Sequence, residues 1–157
     1  MLFRSREELA GPGASAERTR RRAVGITDRE DEIDEAELCD RASVLLDFVR
    51  QLEEYGLIVS RNEAGGRLYG ESEADIAAAC ARLARFGVDG RHLRTFLTAA
   101  GRQSALVEQL VAPGLRSRNA ERRRNALDDL ELLSRVAQEL SHLLFVRDLR
   151  STVQRTS

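Results

Sequence analysis

Apolar residues recur at helical spacing over most of the chain, interrupted by glycine, proline and charge at a few points. Thr27-Asp28-Arg29-Glu30 has the form of a capping box, in which hydroxyl and carboxylate satisfy each other's backbone N–H groups. A helix is expected to begin there or a few residues later and to run through Ile33, Leu38 and Cys39 to about Ala42. After a turn near Ser43, Leu45, Phe48, Val49 and Leu52 make one face of a second helix from Val44 to about Tyr55. Gly56 suits the left-handed position just past its end. Leu57-Ile58-Val59 is β-prone, Asn62 and Gly65-Gly66 are turn residues, and Arg67-Leu68-Tyr69 can pair back, which predicts a two-stranded hairpin, or wing. Ser72 caps a third helix with a stripe of Ile76, Ala77, Cys80, Leu83 and Ala84, ending at Phe86-Gly87. Asp89 caps a fourth through Leu93, Phe96, Leu97 and Ala100. A fifth, from about Gln103 to Val111, turns Leu106, Val107 and Leu110 inward and stops at Pro113-Gly114.

From Asn119 to about Arg150 nothing breaks a helix, and its length would be about 45 Å. Leu130, Leu133, Ala137, Leu140 and Leu144 step by 3, 4, 3 and 4, the seam of a coiled coil. Such a seam needs the fifth helix, a second chain, or both. The pattern therefore predicts an all-α fold with a small β-hairpin wing: a winged helix-turn-helix plus a long C-terminal dimerisation helix. Its parts are a flexible tail (1–26), a winged module (27–101), a helical dimerisation or regulatory segment (102–150) and a disordered end (151–157).

Composition narrows the function classes. With 157 residues, 42% hydrophobic and 32% charged, the chain can bury a core, and no apolar run approaches the length of a membrane span. Met1 to Val24 lacks the apolar stretch of a secretory signal, so a cytoplasmic protein is expected. Net charge is −1. Residues 1–25 hold six Arg and three Glu, and residues 26–40 hold eight acids and one Arg; both runs read as solvated. All 25 basic residues are Arg, which reads as codon bias. Cys39 and Cys80 have no metal or disulfide spacing and read as small buried apolar residues. No nucleophile elbow, phosphate loop, dinucleotide fingerprint or zinc motif occurs. His92 and His142 have no nucleophile nearby in sequence, and the carboxylate pairs Glu53-Glu54 and Asp128-Asp129 diverge on a helix. No enzyme, cofactor or metal is expected.

The helix-turn-helix and wing carry the one arrangement with a functional meaning, since a protruding second helix can enter a major groove while a hairpin reaches phosphates. Arg50 on the second helix and Arg61 and Arg67 in the wing are the candidate DNA contacts. Against them, the second helix carries Asp47, Glu53 and Glu54, whereas phosphate neutralisation usually supplies most of the affinity. A basic cluster, Arg116, Arg118, Arg122, Arg123 and Arg124, lies around the start of the long helix, where cations oppose the macrodipole.

Val49-Arg50-Gln51-Leu52-Glu53-Glu54-Tyr55-Gly56-Leu57-Ile58 resembles the recognition segment of MerR-family regulators. Gly66-Arg67-Leu68-Tyr69 with Ser72-Glu73-Ala74-Asp75-Ile76 resembles their wing and following helix, and Phe86-Gly87-Val88 the stop after it. Arg50 and Arg67 match the family's backbone-contacting arginines. Gln51 stands where an aromatic is usual, and Gly66 where the wing has tyrosine. Ala84 to Gly87, Arg91 to Phe96, Ala99 to Gln103 and Val107 to Pro113 resemble the C-terminal region of FtsR-like actinobacterial cell-division regulators. The resemblance implies a MerR-like but degenerate winged helix: the dimerising or regulatory half of a homodimeric transcription regulator whose DNA contact is made by the full-length protein. Direct DNA reading by this module, an effector pocket lined by Phe48, Phe86, Phe96 and Leu97, and docking of a protein partner through the long helix are the alternatives. No membrane contact is implied.

Overall fold

The computed structural model describes residues 25–156. Within them, five helices and three short strands run in the order β1 (Glu32–Asp34), α1 (Glu35–Ala42), α2 (Leu46–Glu54), β2 (Arg61–Glu63), β3 (Gly66–Gly70), α3 (Glu71–Ala84), α4 (Gly90–Leu115) and α5 (Ala120–Thr156). The wing expected as a two-stranded hairpin is a three-stranded antiparallel sheet in the order β1-β3-β2. Ile33 lies opposite Tyr69 and Asn62 opposite Arg67. The third strand comes from the residues expected to open the first helix. The capping box does not form: the Thr27 hydroxyl donates to Glu131 on α5, and the Glu30 carboxylate accepts from the Ser72 N–H at the start of α3. Asp34 caps α1 instead, accepting from the Glu37 N–H at 2.8 Å.

One core joins these elements. Leu38 and Ala42 of α1, Val49 and Leu52 of α2, Tyr69 of β3, and Ala74, Ala77 and Cys80 of α3 are buried together with Ile33, Ile58 and Leu93. Ile58 reaches this core from a loop, so the β-prone Leu57-Ile58-Val59 is not a strand. Leu45 sits at the N-cap of α2 and is exposed, because the helix begins at Leu46, two residues later than the apolar pattern suggests. Likewise the stripe of α3 is Ala74, Ala77 and Cys80, with Ile76 and Ala84 exposed.

Between α1 and α2, Ser43 takes a left-handed conformation (φ 55) and donates its N–H to the Asp40 carbonyl. A side chain there is strained where glycine is not. Ser43→Gly is expected to raise stability by about 0.5–1 kcal/mol, read as a higher denaturant midpoint at unchanged slope.

The fourth and fifth expected helices are one continuous α4 of 26 residues. Gly101 alone costs a helix only about 1 kcal/mol, too little to break it while Leu93, Val107 and Val111 bury along one stripe. Leu106 and Leu110, expected inward, face out. Pro113 lies inside the last turn of α4 and not beyond it. Asn119 caps α5, its side chain accepting from the Arg122 N–H at 3.0 Å. At 37 residues α5 is about 56 Å long. It continues through 151–156, expected to be disordered; residues 1–24 of the expected tail lie outside the described residues. The two helices form a hairpin in which Gly114 meets Ala126: a Cβ added at Gly114 would stand 2.6 Å from the Ala126 Cβ.

Candidate nucleic-acid interface

The sequence places Arg50 on α2 and Arg61 and Arg67 on the wing strands, and the fold brings Arg50 and Arg67 to a common point. That point is a carboxylate. Glu53 lies one turn after Arg50, and its side chain is only 12% exposed. One of its oxygens accepts from Arg50 at 3.2 Å and from Arg67; the other accepts from the buried Tyr69 hydroxyl at 3.0 Å. Arg50 also pairs with Glu35 at the start of α1. Arg61 lies 2.8 Å from both Glu32 on β1 and Glu63 on its own strand. All three candidate contacts are thus paired with the chain's own carboxylates.

The electrostatics of this cluster follow from its burial. Burial pushes the Glu53 carboxyl up, but hydrogen bonds from Ser60, Tyr69 and Arg50 and the charge of Arg67 outweigh it and hold the group below its ordinary range. The Tyr69 hydroxyl is pushed up to about 12 by burial and by its bond to Glu53. Glu53 is therefore an anion at neutral pH, and Arg50 and Arg67 each have it as a counterion within the chain.

Sequence reasoning counted Glu53 only as an acid weighing against DNA contact and did not single out Glu35, so neither was read as a partner of these arginines. The signal was present in the spacing, since Glu53 follows Arg50 by three residues on a helix. Its contact with Arg67 and Tyr69, however, depends on how the wing folds back over α2.

The basic cluster lies at the turn of the α4–α5 hairpin, away from the wing. Arg123 donates to the Ser117 carbonyl at 2.7 Å, beside the C-terminal end of α4. Among the described residues, Arg116, Arg118, Arg122 and Arg124 make no ion pair. On one side of the hairpin, a crevice of about 500 Å³ is lined mainly by apolar residues, including Ile26, Val107, Val111, Leu130 and Ala137. The four residues named for an effector pocket are not gathered in one place. Phe48 lines a cleft with Tyr55, Val88 and Leu93, whereas Phe86 and Phe96 stand 88% and 55% exposed.

Cys39 and Cys80 are free; Cys80 is buried and Cys39 half-buried. Among the described residues no cluster of His, Cys, Asp or Glu could hold a metal ion. None of the helices there is long and apolar enough to cross a membrane.

A mostly helical chain with a small three-stranded antiparallel sheet is compatible with a winged-helix-like fold. The sequence profile of the Rv1828-like C-terminal domain family matches residues 31–153, and the chain belongs to that family. Two relatives are an uncharacterized HTH-type transcriptional regulator of Mycobacterium tuberculosis and its counterpart in Mycobacterium bovis, each 37% identical over 95 residues. The match covers 60% of this chain and 36% of each relative, so the chain spans little more than a third of the curated relatives it resembles. Both are named as transcriptional regulators.

Proposed function

We propose that this chain is the regulatory and self-associating part of a cytoplasmic, MerR-type transcription regulator of the FtsR-like kind, and that its winged module does not itself read DNA. In this reading residues 27–101 form the degenerate winged module and residues 102–150 the dimerisation segment, with duplex contact made elsewhere in the complete regulator and a link to cell-division genes. The relatives' names supply the regulatory class. The observation that carries the reading is the Glu53 carboxylate, which holds Arg50 and Arg67, the two residues matching the family's phosphate contacts. A two-fold operator is read by a two-fold protein, so a part that touches no base still sets the spacing of the half-sites.

Fluorescence anisotropy with duplex DNA at low and moderate salt tests this. The chain is expected to give no salt-sensitive binding at micromolar concentration, and Arg50→Ala and Arg67→Ala are expected to change nothing. Glu53→Gln, which removes the competing anion but keeps an acceptor for Tyr69, is expected to bring out weak, salt-sensitive binding. Steeply salt-dependent binding by the unaltered chain, lost in Arg50→Ala and Arg67→Ala, would make this module a working DNA reader and overturn the proposal.

A further inference from the structure

The winged module and the α4–α5 hairpin share one helix. The first turns of α4 belong to the module: Leu93 is buried in its core, and a Cβ added at Gly90 would stand 2.1 Å from the Tyr55 ring. The later turns belong to the hairpin, where Val107 and Val111 are buried and Gly114 meets Ala126. Between Leu93 and Val107 the described residues bury no residue of α4.

That middle stretch is also where α4 bends most easily. A Cβ added at Gly101 would meet nothing within 4 Å among the described residues. Thr98 donates its hydroxyl to the Arg94 carbonyl at 3.0 Å, and Ser104 donates to the Gly101 carbonyl at 3.1 Å. Hydroxyls bonded back onto the preceding turn bend helices, and glycine beside serine is a common place for a kink. All three residues fall within two turns of each other, in the part of α4 that neither body holds.

A second connection spans this stretch. Residues 25–34 run from the hairpin to the module, and their module end is tied several times. β1 pairs with β3, the Asp31 carbonyl accepts from the Glu71 N–H at 2.9 Å, and the Glu30 carboxylate accepts from the Ser72 N–H. The hairpin end is held more lightly. There the Thr27 hydroxyl donates to the Glu131 carboxylate, and Ile26, still 55% exposed, lines the crevice with Val111 and Leu130. A turn keeps the two side by side: the Asp28 N–H donates to the Gly25 carbonyl at 3.1 Å, and the Gly25 N–H to the Asp28 carboxylate at 2.8 Å. The segment is thus a strap, fixed in the sheet at one end and latched to α5 at the other.

We infer that the winged module pivots against the hairpin about Gly101, and that the latch of Thr27 on Glu131 holds it in the position seen. With the latch made, α4 cannot bend without stretching a strap whose far end is part of the sheet. With the latch broken, the bend-prone stretch carries the module alone. The pivot requires neither self-association nor DNA contact, so it stands or falls apart from the proposed function.

Hydrogen–deuterium exchange of the full chain, read by mass spectrometry, is the experiment. Thr27→Asp sets two carboxylates together and is expected to speed exchange at residues 102–105, whose helical bonds cross the bend, about fivefold or more. Exchange at the buried Leu38, Val49 and Leu52 is expected to stay unchanged. Thr27→Asp/Glu131→Arg replaces the repulsion with an attractive pair and is expected to restore protection. Thr27→Asp/Gly101→Ala is expected to suppress the rise, because alanine holds a helix that glycine loosens. Small-angle X-ray scattering separates a pivot from local fraying: Thr27→Asp is expected to change the profile, and either second substitution to return it. Exchange at 102–105 indifferent to Thr27→Asp, a rise spread evenly over α3, α4 and α5, a charge exchange that restores nothing, or an unchanged scattering profile would each overturn the inference.

Discussion

Glu53→Ala is expected to destabilise the winged module by about 3 kcal/mol. The substitution removes an acceptor shared by Arg50, Arg67, Tyr69 and Ser60. The Tyr69 hydroxyl is left buried without its partner, and Arg50 and Arg67 are left close together with no anion between them. Glu53→Gln is expected to lose less, since the amide oxygen still accepts from Tyr69. Chemical denaturation of the three proteins checks the order.

Acid adds a second signature. The Glu53 carboxyl is held below its ordinary range in the fold, so its share of stability is complete above the unfolded-state value, about 4.3, and is lost as pH falls through the lower folded value. Between neutral pH and that region the unaltered chain keeps this contribution. Glu53→Ala has none to lose, and its stability is expected to fall less steeply with acid.

The other large effect belongs to the hairpin. Gly114→Val is expected to cost about 2–3 kcal/mol, because its side chain would enter space already held by the Ala126 methyl. Gly114→Ala is a finer probe. In an isolated helix it would gain up to about 1 kcal/mol, so any loss measures the crowding between the two helices. Moving the methyl across the contact in Gly114→Ala/Ala126→Gly is expected to recover most of what Gly114→Ala loses. Thermal unfolding of the four proteins, analysed as a double-mutant cycle, reads the coupling directly. Additive effects would mean that the helices are not in contact at this point.

Much of this architecture is legible in the sequence because it rests on local signals. The left-handed Gly56 after α2, the Asp89 cap of α4, the Gly65-Gly66 turn of the wing and the uninterrupted α5 all follow from residues close to one another. What escapes is long-range. Ile33 has one buried side in a helix or in a strand, and only its pairing with Tyr69 decides between them. Gly101 looks like a break until the stripe of Leu93, Val107 and Val111 is seen to continue on both sides of it. The candidate site is legible in the same uneven way. Arg50, Arg61 and Arg67 are named by their type and place, but their pairing with Glu35 and Glu32, and that of Arg67 with Glu53, is set by the folding of helix and wing.

The sheet also decides where the module is one body and where it is merely one chain. β1 precedes the helix pair and β3 follows it, yet the two strands lie side by side, so α1 and α2 are enclosed between hydrogen-bonded segments. The tip of the wing at Ala64 and Gly65 lies outside this enclosure, exposed and with nothing packed against Gly65. A break there would divide the polypeptide into two stretches that still share every buried residue of the core. Covalent continuity and structural continuity part at that tip, and a guest sequence spliced into it would hang from the module without passing through its interior.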